Sequence, residues 1–163
     1  MMRLVFGSPW IALVATAGAL ASAPTGAAAQ ATAVGFWNTI SDKDGKPTAV
    51  VEIHEVNGEL FGVVRALLVE ADPADSICGK CTDERKGQPI VGMEIVGHMR
   101  PDGDAWSGGE ILDPETGKIY RAKMWLTDGG SKLVVRGYIG FSLFGRSQTW
   151  LRRHGGGIRP DSG

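Results

Sequence analysis

Ile119-Tyr120-Arg121-Ala122-Lys123-Met124-Trp125-Leu126 decides the fold class. Tyr120, Ala122, Met124 and Leu126 fall on one parity, and Arg121, Lys123 and Trp125 on the other. Successive side chains of a strand point to opposite faces, so the first set should line an interior and the second should meet water. Lys132-Ile139 repeats the pattern, with Leu133, Val135, Gly137 and Ile139 facing in and Lys132, Val134 and Arg136 facing out. Glu59-Val69 is apolar on both faces apart from Glu59 and Arg65, which leaves its facing open. No long window outside the N-terminus carries a helical period.

Working outward, period-two alternation and β-branched or aromatic content predict eight strands. They are Val34-Ser41, Thr48-Glu55, Glu59-Val69, Val91-Met99, Ala105-Ile111, Ile119-Leu126, Lys132-Ile139 and Arg146-Arg153. Turn chemistry separates them. Val56-Asn57-Gly58 is the strongest hairpin signal. Asp42-Lys43-Asp44-Gly45-Lys46-Pro47, Pro101-Asp102-Gly103-Asp104, Asp113-Pro114-Glu115-Thr116-Gly117 and Asp128-Gly129-Gly130 supply further breaks. An antiparallel meander with one apolar face can close on itself and lose its exposed edges. The expected fold is all-β, an eight-stranded up-and-down barrel over residues 34–153, with a two-sheet sandwich as the competing architecture. Eight strands enclose room for side chains or for one small ligand.

Gly35-Phe36-Trp37 opens the barrel and Trp150-Leu151-Arg152 closes it. If the first and last strands are neighbours, the Arg152 guanidinium can sit over the Trp37 indole, and Trp150 shares the face of Arg152. Trp37, Trp150 and Arg152 are therefore the expected closure residues.

Residues 1–29 read as a cleaved secretory leader. Arg3 is the positive end, Trp10-Ile11-Ala12-Leu13-Val14-Ala15 starts the apolar run, and Ala27-Ala28-Ala29 offers the small residues of a cleavage site. An uncleaved anchor is the alternative, but no basic stop-transfer cluster follows the run. Residues 30–33 should be a short disordered N-terminus and 154–163 a flexible tail. The expected address is the periplasm, with the extracellular space as the alternative and no membrane anchor after cleavage. The leader holds one of the 17 basic residues and none of the 18 acidic ones, so the mature chain carries 16 against 18. That balance argues against nucleic acid as a partner. About 130 residues remain, enough for one domain with a core.

A longer set of motifs is more specific. It comprises Trp37, Cys78-x-x-Cys81, Gln88-Pro89-Ile90-x-Gly92 and Gly108-Gly109-x-Ile111-x-Asp113-Pro114-x-Thr116-Gly117-Lys118-x-Tyr120. Arg136-Gly137-Tyr138-Ile139-Gly140 and Phe144-Gly145-Arg146-x-Gln148-Thr149-Trp150 complete it. In this order the motifs resemble the exported bacterial family catalogued as domain of unknown function 2147, and Gly-x-Trp with a late basic residue resembles the calycin superfamily. The resemblance implies a lipocalin-like barrel and export. It brings no catalytic residues.

Three stretches could carry chemistry. Cys78-Gly79-Lys80-Cys81 lies in the long connection from Val69 to Val91, and in an exported protein the two cysteines should pair. A structural clip, a thiol–disulfide exchanger assisted by Lys80, and a metal site are the readings. A zinc site wants about four ligands, and His54, His98 and His154 stand at no matching spacing. Glu110, Asp113 and Glu115 could suggest acid–base chemistry or a calcium loop, but Pro114 and Gly117 explain the stretch as a turn. Gly137-Tyr138-Ile139-Gly140-Phe141-Ser142-Leu143-Phe144-Gly145 puts aromatics where polar turn residues are normal, and this marks either a ligand mouth or a plug.

The expectation is a non-enzymatic binding protein without cofactor or metal, holding a small apolar or amphipathic, lipid-like molecule through Tyr120, Met124, Tyr138, Phe141 and Phe144. The alternative is a cell-envelope interaction protein with a solid barrel, docking a protein partner through the aromatic loop.

Overall fold

A computed structural model describes residues 32–69, 76–141, 143 and 145–154. The expected leader, Phe144 and residues 155–163 of the expected tail lie outside the described residues. Eight strands form one closed antiparallel barrel in chain order. They are β1 Gly35–Ile40, β2 Pro47–Val56, β3 Glu59–Leu67, β4 Glu94–Asp102, β5 Ala105–Asp113, β6 Lys118–Thr127, β7 Lys132–Tyr138 and β8 Gly145–Arg152. The sandwich is thereby excluded. A 3₁₀ turn, Asp128–Gly130, joins β6 to β7.

Alternation sets the interior. Ala122, Met124, Leu133 and Val135 are buried in one cluster with Trp37, Val51, Ile53, Leu60, Val64, Val96, Met99 and Trp150. Glu52 and Arg65 (2.6 Å), Glu59 and Arg100 (2.6 Å), and Asp102 and Lys123 (3.4 Å) pair on the opposite face. An apolar interior and an ion-paired exterior are the reverse of a membrane-spanning barrel.

Two expectations need correction. Parity places Ile139 inward at the end of its strand, but β7 stops at Tyr138 and Ile139 is 70% exposed. Of residues 30–33, read as disordered, 30 and 31 lie outside the described residues, while Ala33 is fully buried and its carbonyl accepts the Trp37 indole N–H at 2.8 Å. The expected fourth strand also slides toward the C-terminus. Gly92 sits at φ +93° and Met93 N–H bonds the Ile90 carbonyl, so the chain is still turning at Val91.

β4 and β5 meet at an irregularity that sequence periodicity does not show. Val96 and Met99 are three apart, yet both are fully buried in the core. The extra residue is taken up at His98, which adopts φ +55° opposite Gly108 and Gly109. Gly109 is required there, because a Cβ would lie 2.1 Å from the Gly97 carbonyl oxygen.

Candidate functional site

The two ends of the barrel are built differently. At the first, β1 begins and β8 ends, and only Trp37↔Arg152 and Asn38↔Leu151 pair in register. Arg152 reinforces this short seam. Its guanidinium lies 4.2 Å from the Trp37 ring centroid. Nε donates to the Gly130 carbonyl at 2.6 Å, Nη1 to Val34 at 3.2 Å and Nη2 to Thr32 at 2.5 Å. One side chain thus ties together the approach to β1, the β6–β7 turn and β8.

The second end gathers the β1–β2 loop, the long β3–β4 connection, the β5–β6 turn and the β7–β8 loop. Cys78 and Cys81 form a disulfide with Cα atoms 5.4 Å apart. Both are buried in the core cluster, together with Ile90 and Met93 from the same connection. Cys78 Sγ lies 3.6 Å from the Pro114 carbonyl oxygen. Gly117 packs so tightly on the clip that a Cβ would come 2.0 Å from the Lys80 carbonyl oxygen. The connection is anchored again by Arg85, which bonds Asp83 through Nε (2.9 Å) and the Glu94 carbonyl through Nη1 (3.2 Å). These contacts hold the Asp83 carboxyl below its ordinary range, the Arg85 side chain contributing most.

Asp113 is committed to its own turn, accepting from Glu115 N–H at 3.0 Å and from the Thr116 hydroxyl at 2.8 Å. Among the described residues, no group of three or more His, Cys, Asp and Glu could hold a metal ion. Around the seam side of this end, Asp42 pairs with Arg146 and accepts from Gln148 Nε2 at 3.4 Å. Thr39 and Thr48 hydroxyls meet at 2.7 Å.

The five ligand-binding candidates do not converge. Met124 is 0% exposed and belongs to the packed core. Tyr120 is half-buried on the inner face near the second end, beside Gly137, where a Cβ would lie 3.3 Å from Tyr120 Cβ. Tyr138 has the parity of Arg136 and faces outward, in register with Arg121. Phe141 is 79% exposed. Phe144 lies outside the described residues. Sequence reasoning missed two exposed side chains as candidates, Ile139 and Leu143, and Leu143 is 84% exposed. The apolar loop was their available signal.

A side chain beside a water-sized void keeps accessible surface in that void. Trp37, Val51, Ile53, Met99, Met124 and Leu133 keep none, so this stretch of the axis is filled by side chains. Open grooves of about 540 and 350 Å³ exist, one beside Arg85 and Gln88 and one beside His98 and Arg121. Neither is lined by these axial residues.

The barrel is similar to a solved structure described as "Protein HP1028 from the human pathogen Helicobacter pylori belongs to the lipocalin family". The two share 16% identity, with a TM-score of 0.64 over 74% of this chain and 82% of that one. At that identity the likeness concerns the fold alone. No curated protein matches the chain. Residues 35–152, which coincide with the barrel, match the family described as "Uncharacterized protein conserved in bacteria (DUF2147)". The chain belongs to the DUF2147 family, and its barrel is lipocalin-like.

Proposed function

We propose that this protein is an exported interaction protein of the cell envelope, in which the barrel is a solid scaffold and the β7–β8 loop is the contact surface. One observation carries the reading. Side chains fill the stretch of the axis around Met99, Met124 and Leu133, while Ile139, Phe141 and Leu143 stand 70, 79 and 84% exposed on a single loop. A small apolar ligand held deep in the barrel would need the volume that Met99, Met124 and Leu133 occupy. A contiguous exposed apolar cluster is characteristic of a binding surface. The Cys78–Cys81 disulfide supports an oxidising compartment, as does the leader-like character of residues 1–29. Burial of both sulfurs supports the clip over thiol exchange, because attack on a disulfide needs access.

Native mass spectrometry of the protein from its own bacterium, purified without detergent, tests the scaffold. The expected mass is that of a leaderless, oxidised chain with no adduct. A discrete small molecule released on activation would return the function to the barrel interior. A photo-crosslinker at position 141 tests the surface. It should capture envelope material in living cells, and the same group at Glu52 should not.

A further inference from the structure

The groove beside His98 belongs neither to the packed axis nor to the β7–β8 loop. It has a volume of about 350 Å³, and His98, Gly108, Gly109, Glu110, Ile119 and Arg121 are among the residues that line it. Small-molecule sites run from about 300 to 1,000 Å³. Its floor is backbone, since Gly108 and Gly109 add no side chains. At its edge His98 holds φ +55°, and left-handed residues other than glycine gather at ligand sites.

The polar groups around this floor are an acid, a base and an oriented imidazole. Glu110 stands in register with Gly97 on one side and with Arg121 on the other. Glu110 and Arg121 nevertheless form no ion pair, and among the described residues neither side chain makes a hydrogen bond. Arg85 is close enough to feel the Glu110 charge, but its N–H groups already serve Asp83 and the Glu94 carbonyl. His98 Nδ1 lies 2.9 Å from a Glu59 oxygen, and Arg100 holds the other Glu59 oxygen at 2.6 Å. Phe61 meets the imidazole edge-on, with ring centroids 5.0 Å apart. A carboxylate on Nδ1 keeps the proton of the neutral ring there and leaves Nε2 as an acceptor.

This donor and acceptor set discriminates between ligands. An anion finds Arg121 but is opposed by Glu110, and it brings no donor for either acceptor. A cation meets the reverse. An apolar molecule would cover three polar groups and pair none of them. A zwitterion gains little from ion pairs at so exposed a site. Hydroxyl groups donate and accept at once, so a polyol satisfies all three side chains. We infer that this groove is a saccharide-binding site on the barrel wall. Glu110 and His98 accept from sugar hydroxyls, Arg121 donates to them, and Ile119, 43% exposed, takes the apolar C–H face of a ring. The site is separate from the loop proposed above as the contact surface, and either stands without the other.

The test is an amide NMR titration of the whole oxidised chain with chitotetraose and with maltotetraose, using inorganic phosphate and glycylglycine as the anionic and zwitterionic controls. At least one saccharide should shift the amides of Gly97, Gly108, Gly109 and Arg121, and neither control should. Glu110→Ala and Arg121→Ala change exposed side chains, so their spectra should keep native dispersion while each weakens binding by about tenfold. Glu110→Gln keeps one acceptor oxygen and should recover part of that loss. Absence of shifts with both saccharides, equal shifts with phosphate or glycylglycine, or undiminished binding in both alanine variants overturns the inference.

Discussion

Arg152→Ala should cost about 3 kcal/mol of stability. Stacking over Trp37 at 4.2 Å contributes about 1 kcal/mol of this. The half-buried, charge-assisted bond to the Gly130 carbonyl contributes about 1.5 kcal/mol. The bonds to Thr32 and Val34 are solvent-exposed and add a few tenths of a kcal/mol each. Water can replace the arginine at the exposed carbonyls, which keeps the total from rising further. Arg152→Lys keeps a cation but loses the planar fork, and should recover less than half of the loss. Equilibrium urea unfolding measures both, read at constant m so that the change reports stability rather than compactness. A loss below about 1 kcal/mol for Arg152→Ala would refute the clamp and leave Trp37 packing as the whole closure.

Other expectations concern the core and the clip. Met124→Ala removes a fully buried side chain from a filled axis and should cost about 2–5 kcal/mol in the same unfolding experiment. A cost near zero would mean that the axis is not packed. Replacing Cys78 and Cys81 together by Ser opens a very short loop, worth about 2 kcal/mol in chain entropy, and also places hydroxyls in the core. In the native protein, thiol labelling under reductant should proceed only as fast as the β3–β4 connection opens. Asp83 has its folded value depressed by Arg85, so its contribution is complete above the unfolded value of 3.8 and is lost as pH falls through the lower folded value. Carboxylate NMR should place Asp83 below 3.8 in the native chain and bring it back toward 3.8 in Arg85→Met.

Much of the barrel is legible in the sequence because one face is wet and the other dry. Ala122, Met124, Leu133 and Val135 declare their facing by parity, and Asn57-Gly58 declares a hairpin. The β4–β5 irregularity is hidden because strict alternation cannot place both Val96 and Met99, three apart, on the inner face. The close approach of Gly109 to the Gly97 carbonyl exists only after pairing. The inward packing of the β3–β4 connection at the second end is hidden for a related reason. Ile90 and Met93 are apolar residues in a connection without period, and only the disulfide and the β5–β6 turn reveal that they pack inward. The candidate surface is half visible. The run from Gly137 to Gly145 announces an unusual loop, but parity cannot decide plug or surface, since it ends with the strand at Tyr138.

The short seam also sets an order of events. β1 and β8 meet through Trp37 and Arg152, residues from opposite ends of the barrel sequence, so the ring cannot shut until almost the whole of it is present. Contacts of such sequence separation form slowly, because a long loop must close before they reward it. While Arg152 is still in the ribosome, the nascent chain is an open meander with an unpaired β1 edge. Closure therefore waits for the last strand, and until it arrives the β1 edge stays open to pairing with any other strand.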